Sequence, residues 1–168
     1  LRDRIADIHP GCKVHLVDDF VSESNWPALL PQAVDALIDA CDQVRAKLAM
    51  AHWACAVGVG FVSVGAAGGK CMPQALEVGD LSAVTHDPLL ASLRQRLRKQ
   101  HGLPRSGAMG VRCVFSREAV TRPDAVCAVP EASDGTLNCH GYGSSVMVTA
   151  SFGLAAAAEA LRMVMAER

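Results

Sequence analysis

The feature that most constrains the fold is a strand, a helix and a second strand that follow one another between residues 34 and 64. Val34 to Ile38 is a short, continuously apolar run, which is typical of a buried parallel strand. A helical pattern then runs from Asp42 to Val57 and ends at Gly58, and Phe61 to Val64 has the pattern of the next strand. Such a unit folds as a crossover between parallel strands, so the sequence predicts an α/β fold.

Two carboxylates follow the first of these strands. Asp39 ends the apolar run and Asp42 stands where the helical pattern begins, so both should lie where a buried strand hands over to a helix. Nucleotide sites in α/β sheets lie at that edge. We therefore expect Asp42 to serve a nucleotide or metal and Asp39 to support the site, with Arg45 and Lys47 on the helix surface. A simple helix N-cap is the alternative role for Asp42.

A glycine-rich turn, Gly65 to Lys70, follows the second strand. It lacks the G-x-x-x-x-G-K-[ST] spacing of a phosphate-binding loop, and no helical pattern comes after it. We expect these glycines to allow close approach of the backbone to another element.

The rest of the chain supplies further elements around this unit. Asp87 and Pro88 introduce a helix on which Leu89, Leu93 and Leu97 share one face. Additional strands are predicted at Lys13–Val17, Ala75–Val78 and Val111–Phe115. We predict a Rossmann-like, mostly parallel sheet flanked by helices, with an antiparallel or irregular C-terminal extension, in a single domain over residues 1–168.

Composition limits the class of protein. With 168 residues, 51% hydrophobic, the chain can bury a sizeable core. Its seven cysteines form no CxxC pair and follow no secretory leader, which favours reduced thiols in a cytosolic protein and excludes a zinc site of two CxxC pairs. In the glycine- and serine-rich stretch 134–145, Cys139 and His140 offer a nucleophile or a metal ligand, although sequence neighbours rarely face each other correctly.

Charge is spread unevenly along the chain. Residues 1–43 carry eight acidic side chains against three basic ones, whereas residues 90–123 carry eight basic side chains against Glu118 alone. A basic block of that size can follow a polyphosphate backbone such as RNA, and the alternative is a solvated helix face and loop.

The last stretch, Val146 to Met165, is nearly all apolar and contains Glu159 and Arg162. Its uncharged part is shorter than the ~20 residues that a membrane span needs. We expect a buried core helix, with membrane association as the minor alternative.

The residues Ile38 to Lys47 resemble the Asp-x-x-Asp element of the ThiF/MoeB/HesA superfamily, the ubiquitin-activating-like adenylating enzymes. The more specific resemblance is to the TcdA branch, the tRNA threonylcarbamoyladenosine dehydratases. It covers essentially the whole chain in one order, in segments that begin at Val17, Asp42, Gly65, Asp87, Cys113 and Val148.

The resemblance implies an enzyme that uses ATP to activate the carboxylate of N6-threonylcarbamoyladenosine in tRNA as an acyl-adenylate, and then closes a ring with net loss of water. It implies Mg²⁺, a cytoplasmic homodimer, and association with a cysteine desulfurase and its sulfur acceptor. The family's G-x-G-G-x-G loop, ribose-binding acid and phosphate-binding arginine and lysine lie upstream of Leu1. We therefore expect a later part of the domain, lacking the N-terminal βα units and inactive alone.

Several residues take provisional roles from the resemblance. Asp42 matches the family's metal and nucleotide aspartate, and Asp39 and Arg45 stand beside it as cofactor-binding candidates. A tRNA enzyme must meet backbone phosphates, and the candidates for that contact are Arg94, Arg98, Lys99, Arg105 and Arg112. Cys113 and Cys139 are the possible reactive thiols.

Two other functions stay open at this point. One is a ThiF- or MoeB-like adenylation of the C-terminus of a sulfur-carrier protein. The other is a non-catalytic module that dimerises or binds a partner through its apolar C-terminal region.

Overall fold

The structure is a computed structural model, and it describes residues 1–120 and 143–166. Helices and strands alternate along most of the described chain. The helices are α1 (Arg2–Ile8), α2 (Val44–Val57), α3 (Pro88–His101) and α4 (Val146–Ala166). The strands are β1 (Ala36–Asp39), β2 (Gly60–Val64), β3 (Leu76–Asp80) and β4 (Arg112–Ser116), and short 3₁₀ helices at Pro73–Ala75 and Leu81–Ala83 flank β3.

Local chemistry sets the ends of the two central helices. Asp87 caps α3 by accepting a hydrogen bond from a first-turn N–H, and Pro88 takes the first helical position, where its missing N–H costs nothing. Gly58 after α2 and Gly102 after α3 adopt left-handed conformations, with φ of 76° and 67°, which glycine reaches without a steric penalty.

The four strands form one mixed sheet in the order β1-β2-β4-β3. β1 pairs with β2 in parallel, and β2 pairs with β4 in parallel, whereas β3 runs antiparallel to β4. The predicted α/β sheet flanked by helices is confirmed. The antiparallel strand of the sheet is β3, inside the chain. Of the predicted antiparallel or irregular C-terminal extension, residues 121–142 lie outside the described residues, and Val146–Ala166 form a helix.

Helices cover both faces of this sheet. Strand alternation sends Phe61, Cys113 and Phe115 toward α2 and α3, whose leucines complete the larger core. Val62 and Val114 point the other way and pack against α4. The carboxyl ends of the parallel strands are therefore walled by α3 on one side and by α4 on the other.

α4 is only partly the buried core helix that the sequence predicts. Val148, Phe152, Ala156 and Glu159 are buried, but large apolar side chains on the opposite face are exposed. The helix is long and apolar enough to cross a membrane by length and composition, and 22% of its most apolar window is buried. One such helix is weak evidence for a membrane segment, because core helices meet the same criterion.

Two predicted element positions differ from the structure. The prediction of a strand at Lys13–Val17 is wrong, because these residues are irregular and exposed or half-buried. Alternating apolar residues form a strand only where a neighbouring strand supplies the hydrogen-bond ladder. Ala75 belongs to a short 3₁₀ helix, so β3 begins at Leu76.

Candidate functional site

A cleft of about 860 Å³ opens at the carboxyl ends of β1 and β2. One wall is the turn that follows β2, the second is the start of α3, and the third is the first half of α4. The lining includes Ile38, Ala40, Asp42, Val64, Gly65, Ala66, Ala67, Gly68, Pro88, Leu89, Ser92, Gly143, Ser144, Thr149, Phe152 and Gly153. The predicted location at the carboxyl edge of the parallel sheet therefore coincides with a real concavity.

Asp42 lines this cleft and is exposed. It does not cap α2, because that helix begins at Val44 and its N-cap residue, Gln43, makes no side-chain capping bond. The N-cap alternative for Asp42 is therefore wrong. Within the part of the chain that the structure describes, its carboxylate makes no hydrogen bond, so both oxygens can meet a ligand.

Asp39 lies beneath the cleft and does not line it. Because side chains alternate along β1, Ile38 faces the cleft and Asp39 turns to the α2 side of the sheet, where it is 1% exposed. Asp39 Oδ2 accepts hydrogen bonds from Lys47 Nζ at 2.9 Å and Ser63 Oγ at 2.8 Å. This burial agrees with a supporting role and leaves Asp39 no contact with a molecule in the cleft.

Lys47 contradicts the expectation of a surface lysine. Its side chain is fully buried, and its Nζ also donates to the carbonyl of Val64 at 2.7 Å. One ammonium thus ties the end of β1 to the end of β2. The signal that could have found it is its position in the first turn of α2, where a lysine can reach back to Asp39 at the end of β1.

Cys41 completes this buried network. Its backbone N–H donates to Asp39 Oδ1 at 3.1 Å and its thiol donates to the same oxygen, so Asp39 holds the turn that carries Asp42. Burial, followed by the charge of Asp39, raises the pKa of the Cys41 thiol to about 12. The thiol is therefore a proton donor here and a poor nucleophile.

The glycine-rich turn approaches another element closely, as predicted. The Gly65 N–H donates to the Val114 carbonyl at 2.8 Å, and the Ala66 N–H donates to Asp87 Oδ2 at 2.9 Å. Because these two amides are already bonded to protein, they cannot cradle a phosphate. The structure thus agrees with the sequence interpretation, which favoured close approach over a phosphate loop.

The electrostatics of the cleft are set by a single acid. Among its described lining residues Asp42 is the one charged side chain, and most of the remainder are small or apolar. Arg45 lies exposed on the first turn of α2 and does not line the cleft. Residues 1–120 and 143–166 hold no group of three or more His, Cys, Asp or Glu side chains that could bind a metal by themselves.

The donor set fits a nucleotide-bound Mg²⁺ better than a protein-caged metal. Mg²⁺ is commonly held by one or two carboxylates together with substrate phosphates, and Asp42 offers one such carboxylate beside open space. Phosphates would also need cations, and the described walls of the cleft contain none.

The two candidate reactive thiols are Cys113 and Cys139. Cys113 is fully buried, which raises the pKa of its thiol and argues against the reactive role proposed for it. Cys139 and His140 lie outside the described residues.

The five candidate RNA contacts do not share one surface. Arg94 donates to the carbonyls of Leu81 and Val84, and Arg112 pairs with Glu159 of α4 on the other face of the sheet. Arg98 spans the end of α3 and donates to the carbonyls of residues 104 and 105. Lys99 and Arg105 are exposed.

A mixed α/β sheet with a cleft at the carboxyl ends of its parallel strands defines the structural class of this protein. Comparison with known proteins narrows the class. The profile of the ThiF family matches residues 1–168, and the chain belongs to the ThiF family.

The similar proteins are tRNA-modifying enzymes. The chain is 38% identical to the tRNA threonylcarbamoyladenosine dehydratase of Escherichia coli strain K12, over 99% of this chain and 65% of the relative. It is 31% identical to the Haemophilus influenzae enzyme of the same name, over 91% of this chain and 59% of the relative. The crystal structure of the Escherichia coli enzyme in complex with ATP aligns with a TM-score of 0.84 at 36% identity, covering 99% of this chain and 62% of that chain. The chain therefore spans less than two thirds of the length of these relatives.

Proposed function

We propose that the protein to which this chain belongs catalyses the ATP-dependent dehydration of N6-threonylcarbamoyladenosine in tRNA, closing a ring. The observation that carries the proposal is similarity to enzymes of that name along 99% of the chain, together with a cleft at the strand ends that presents Asp42. One of the similar structures is a complex with ATP and another is a complex with AMP, the nucleotide that adenylation chemistry releases.

The overall reaction needs an activated carboxylate. In the proposed sequence, the carboxylate of the threonylcarbamoyl group attacks the α-phosphorus of ATP and pyrophosphate leaves. An atom of the same side chain then attacks the activated carbonyl carbon, and AMP leaves with the former carboxylate oxygen. The net result is loss of one water from the nucleoside, which hydrolysis of ATP drives.

The chain contributes shape and one carboxylate to this chemistry. Asp42 would hold Mg²⁺ against the phosphates, and the apolar walls near Phe152 would exclude water from the activated carboxylate. Asp39, tied to Lys47 and Ser63, holds the turn that carries Asp42. Cations for the phosphates would come from outside the described walls, and Arg45 is the nearest in sequence to Asp42.

For tRNA we propose the basic end of α3, with the half-buried Arg98 and the exposed Lys99 and Arg105. This end lies roughly 20 Å from the cleft, because α3 begins at the cleft and rises 1.5 Å per residue over its 14 residues. A tRNA could therefore rest on this end while its modified base enters the cleft. Further proposals from the family resemblance are a cytoplasmic location, a homodimer, and a cysteine desulfurase with its sulfur acceptor as partners.

The test is mass spectrometry of tRNA nucleosides from cells that lack their own cyclase. The natural gene, with any sequence that precedes Leu1, should restore the cyclic nucleoside, and the Asp42→Ala variant should not. Asp35→Ala is the matched control, because Asp35 also lies near β1 yet does not line the cleft. A soluble wild-type protein that leaves the open threonylcarbamoyl form would refute the dehydratase assignment.

Two alternative functions can be tested against the dehydratase assignment. Adenylation of a sulfur-carrier protein needs the same cleft and the same Asp42, and the appearance of a carrier acyl-adenylate with unchanged tRNA would favour it. A non-catalytic binding module is favoured by the exposed apolar face of α4, where Leu154, Leu161 and Met165 are more than 60% exposed.

A further inference from the structure

Asp87 joins two walls of the cleft. Its side chain is 2% exposed, and its two oxygens have different partners. Oδ1 accepts from the Leu90 N–H at 3.0 Å and caps α3, while Oδ2 accepts from the Ala66 N–H at 2.9 Å. A helix cap needs only the first of these bonds.

The second bond links two walls of the cleft. Ala66 belongs to the turn 65–68 that forms one wall, and Pro88 and Leu89, the residues after Asp87, belong to another. The two walls lie so close at Gly65 that a Cβ added there would collide with Asp87 Oδ2. The contact thus requires both a carboxylate at 87 and glycine at 65.

The backbone that presents Asp87 is itself held in an unusual conformation. His86 has a φ of 58°, a left-handed conformation that side-chain-bearing residues rarely adopt. Its carbonyl accepts from the ammonium of Lys70 at 3.4 Å, and the same ammonium donates to the Ser116 carbonyl at 3.1 Å. Lys70 is 1% exposed, so a buried cation anchors the segment immediately before Asp87.

We propose that Asp87 is a positioning residue that sets the separation of the turn 65–68 from the start of α3, and thereby the fit of ATP in the cleft. The inference rests on the proposed function, because it takes ATP as the occupant. Asp87 itself need not touch the nucleotide, since it acts through the Ala66 N–H.

Asp80 provides a matched control in the same chain. Its Oδ1 caps a helical turn by accepting from the Ser82 N–H at 2.8 Å and also accepts from the Met109 N–H at 2.9 Å, while its Oδ2 accepts from the Gly110 N–H of the same distant loop at 2.8 Å. It lies at the amino end of the parallel strands, opposite to the cleft, because it pairs with Arg112, the first residue of β4. Both aspartates therefore cap a helical turn and bind a distant backbone amide, but only the bond of Asp87 joins two walls of the cleft.

The experiment compares Asp87→Ser with Asp80→Ser in the protein of full natural length. Serine is a good N-cap with a single side-chain oxygen, so each variant keeps its cap and loses the hydrogen bond of the second oxygen, to Ala66 in the case of Asp87 and to Gly110 in the case of Asp80. ATP affinity is measured by titration calorimetry in the presence of Mg²⁺, and the free energy of unfolding is measured by urea denaturation. We expect Asp87→Ser to raise the Kd for ATP about tenfold, the effect of losing one hydrogen bond to a charged group, and Asp80→Ser to leave it unchanged.

The possible outcomes separate this inference from the proposed function. If the wild-type protein binds ATP and Asp87→Ser binds it equally tightly, or if both variants weaken ATP alike, the positioning role is wrong. If the wild-type protein binds no ATP, the proposed function is wrong as well.

A second variant addresses the same contact from the other wall. Gly65→Ala should weaken ATP binding because its methyl group collides with Asp87 Oδ2. Adding Asp87→Ser should remove most of that collision, so the double variant should resemble Asp87→Ser alone. Additive losses in the double variant would show that the two residues act separately and would overturn the proposal. Should Asp87→Ser fail to fold, Asp87→Asn, with nearly the same volume, replaces it in the comparison.

Discussion

Replacing Lys47 by methionine should destabilise the protein strongly, although most lysines on helices can be replaced with little loss of stability. Its ammonium is fully buried and bonds to Asp39 Oδ2, to the Val64 carbonyl and, at 3.4 Å, to Ser63 Oγ. Methionine fills a similar volume but carries no donor. The variant therefore keeps the packing of α2 and leaves a buried carboxylate without its counter-charge.

The magnitude follows from the partners that remain. Removing one member of a buried ion pair costs about 3–5 kcal/mol, whereas an exposed pair costs about 0–1 kcal/mol. Asp39 keeps its hydrogen bonds from Ser63 and Cys41, which places the expected loss near the lower end, at about 3 kcal/mol. The double variant Asp39→Asn/Lys47→Met should lose less than the single one, because it leaves no uncompensated charge.

Urea denaturation of the full-length protein, followed by circular dichroism, measures these losses. Lys99→Met is the control, because Lys99 is exposed on α3 and its replacement should change the free energy of unfolding by less than ~0.5 kcal/mol. A Lys47→Met variant that loses no more than Lys99→Met would refute the buried network and restore Lys47 to the helix surface.

Three further predictions follow from burial and charge. In the native protein, iodoacetamide should label the exposed Cys71 and leave the buried Cys113 unmodified until denaturant is added; equal labelling by mass spectrometry would contradict this. Partial burial, followed by the charge of the stacked His52, lowers the pKa of His101 from 6.5. The folded chain therefore binds fewer protons than the unfolded chain near this pH, and the free energy of unfolding should fall as the pH drops from 6.5 through the lowered pKa. The variant His101→Asn should lose that slope in urea titrations at successive pH values. Glu159→Gln should cost about 1 kcal/mol in the same assay, because Arg112 and Arg162 both lose their ion-pair partner on α4, and an unchanged midpoint would contradict these pairings.

Local patterns were sufficient for the parts of the fold that depend on neighbouring residues. The end of α2 at Gly58 and the start of α3 at Pro88 follow from the conformational freedom of glycine and the fixed φ of proline. The apolar runs before Asp39 and after Gly60 predict parallel strands because such strands are covered on both faces. The cleft could be placed for the same reason, since Asp42 had to emerge at a carboxyl edge.

The sequence by itself therefore determined the order of the elements, the class of fold and the acid that faces the cleft. Only the tertiary structure decided that Lys47 is buried and that Asp87 spans two walls, because their partners, Ser63 and Ala66, are distant in sequence and meet them only after the sheet assembles. Lys13–Val17 shows the reverse case: a period of two is a local property, but a strand forms only where another strand completes its hydrogen bonds. Periodicity reports which residues share a face, whereas the contacts that shape this cleft depend on what each face meets.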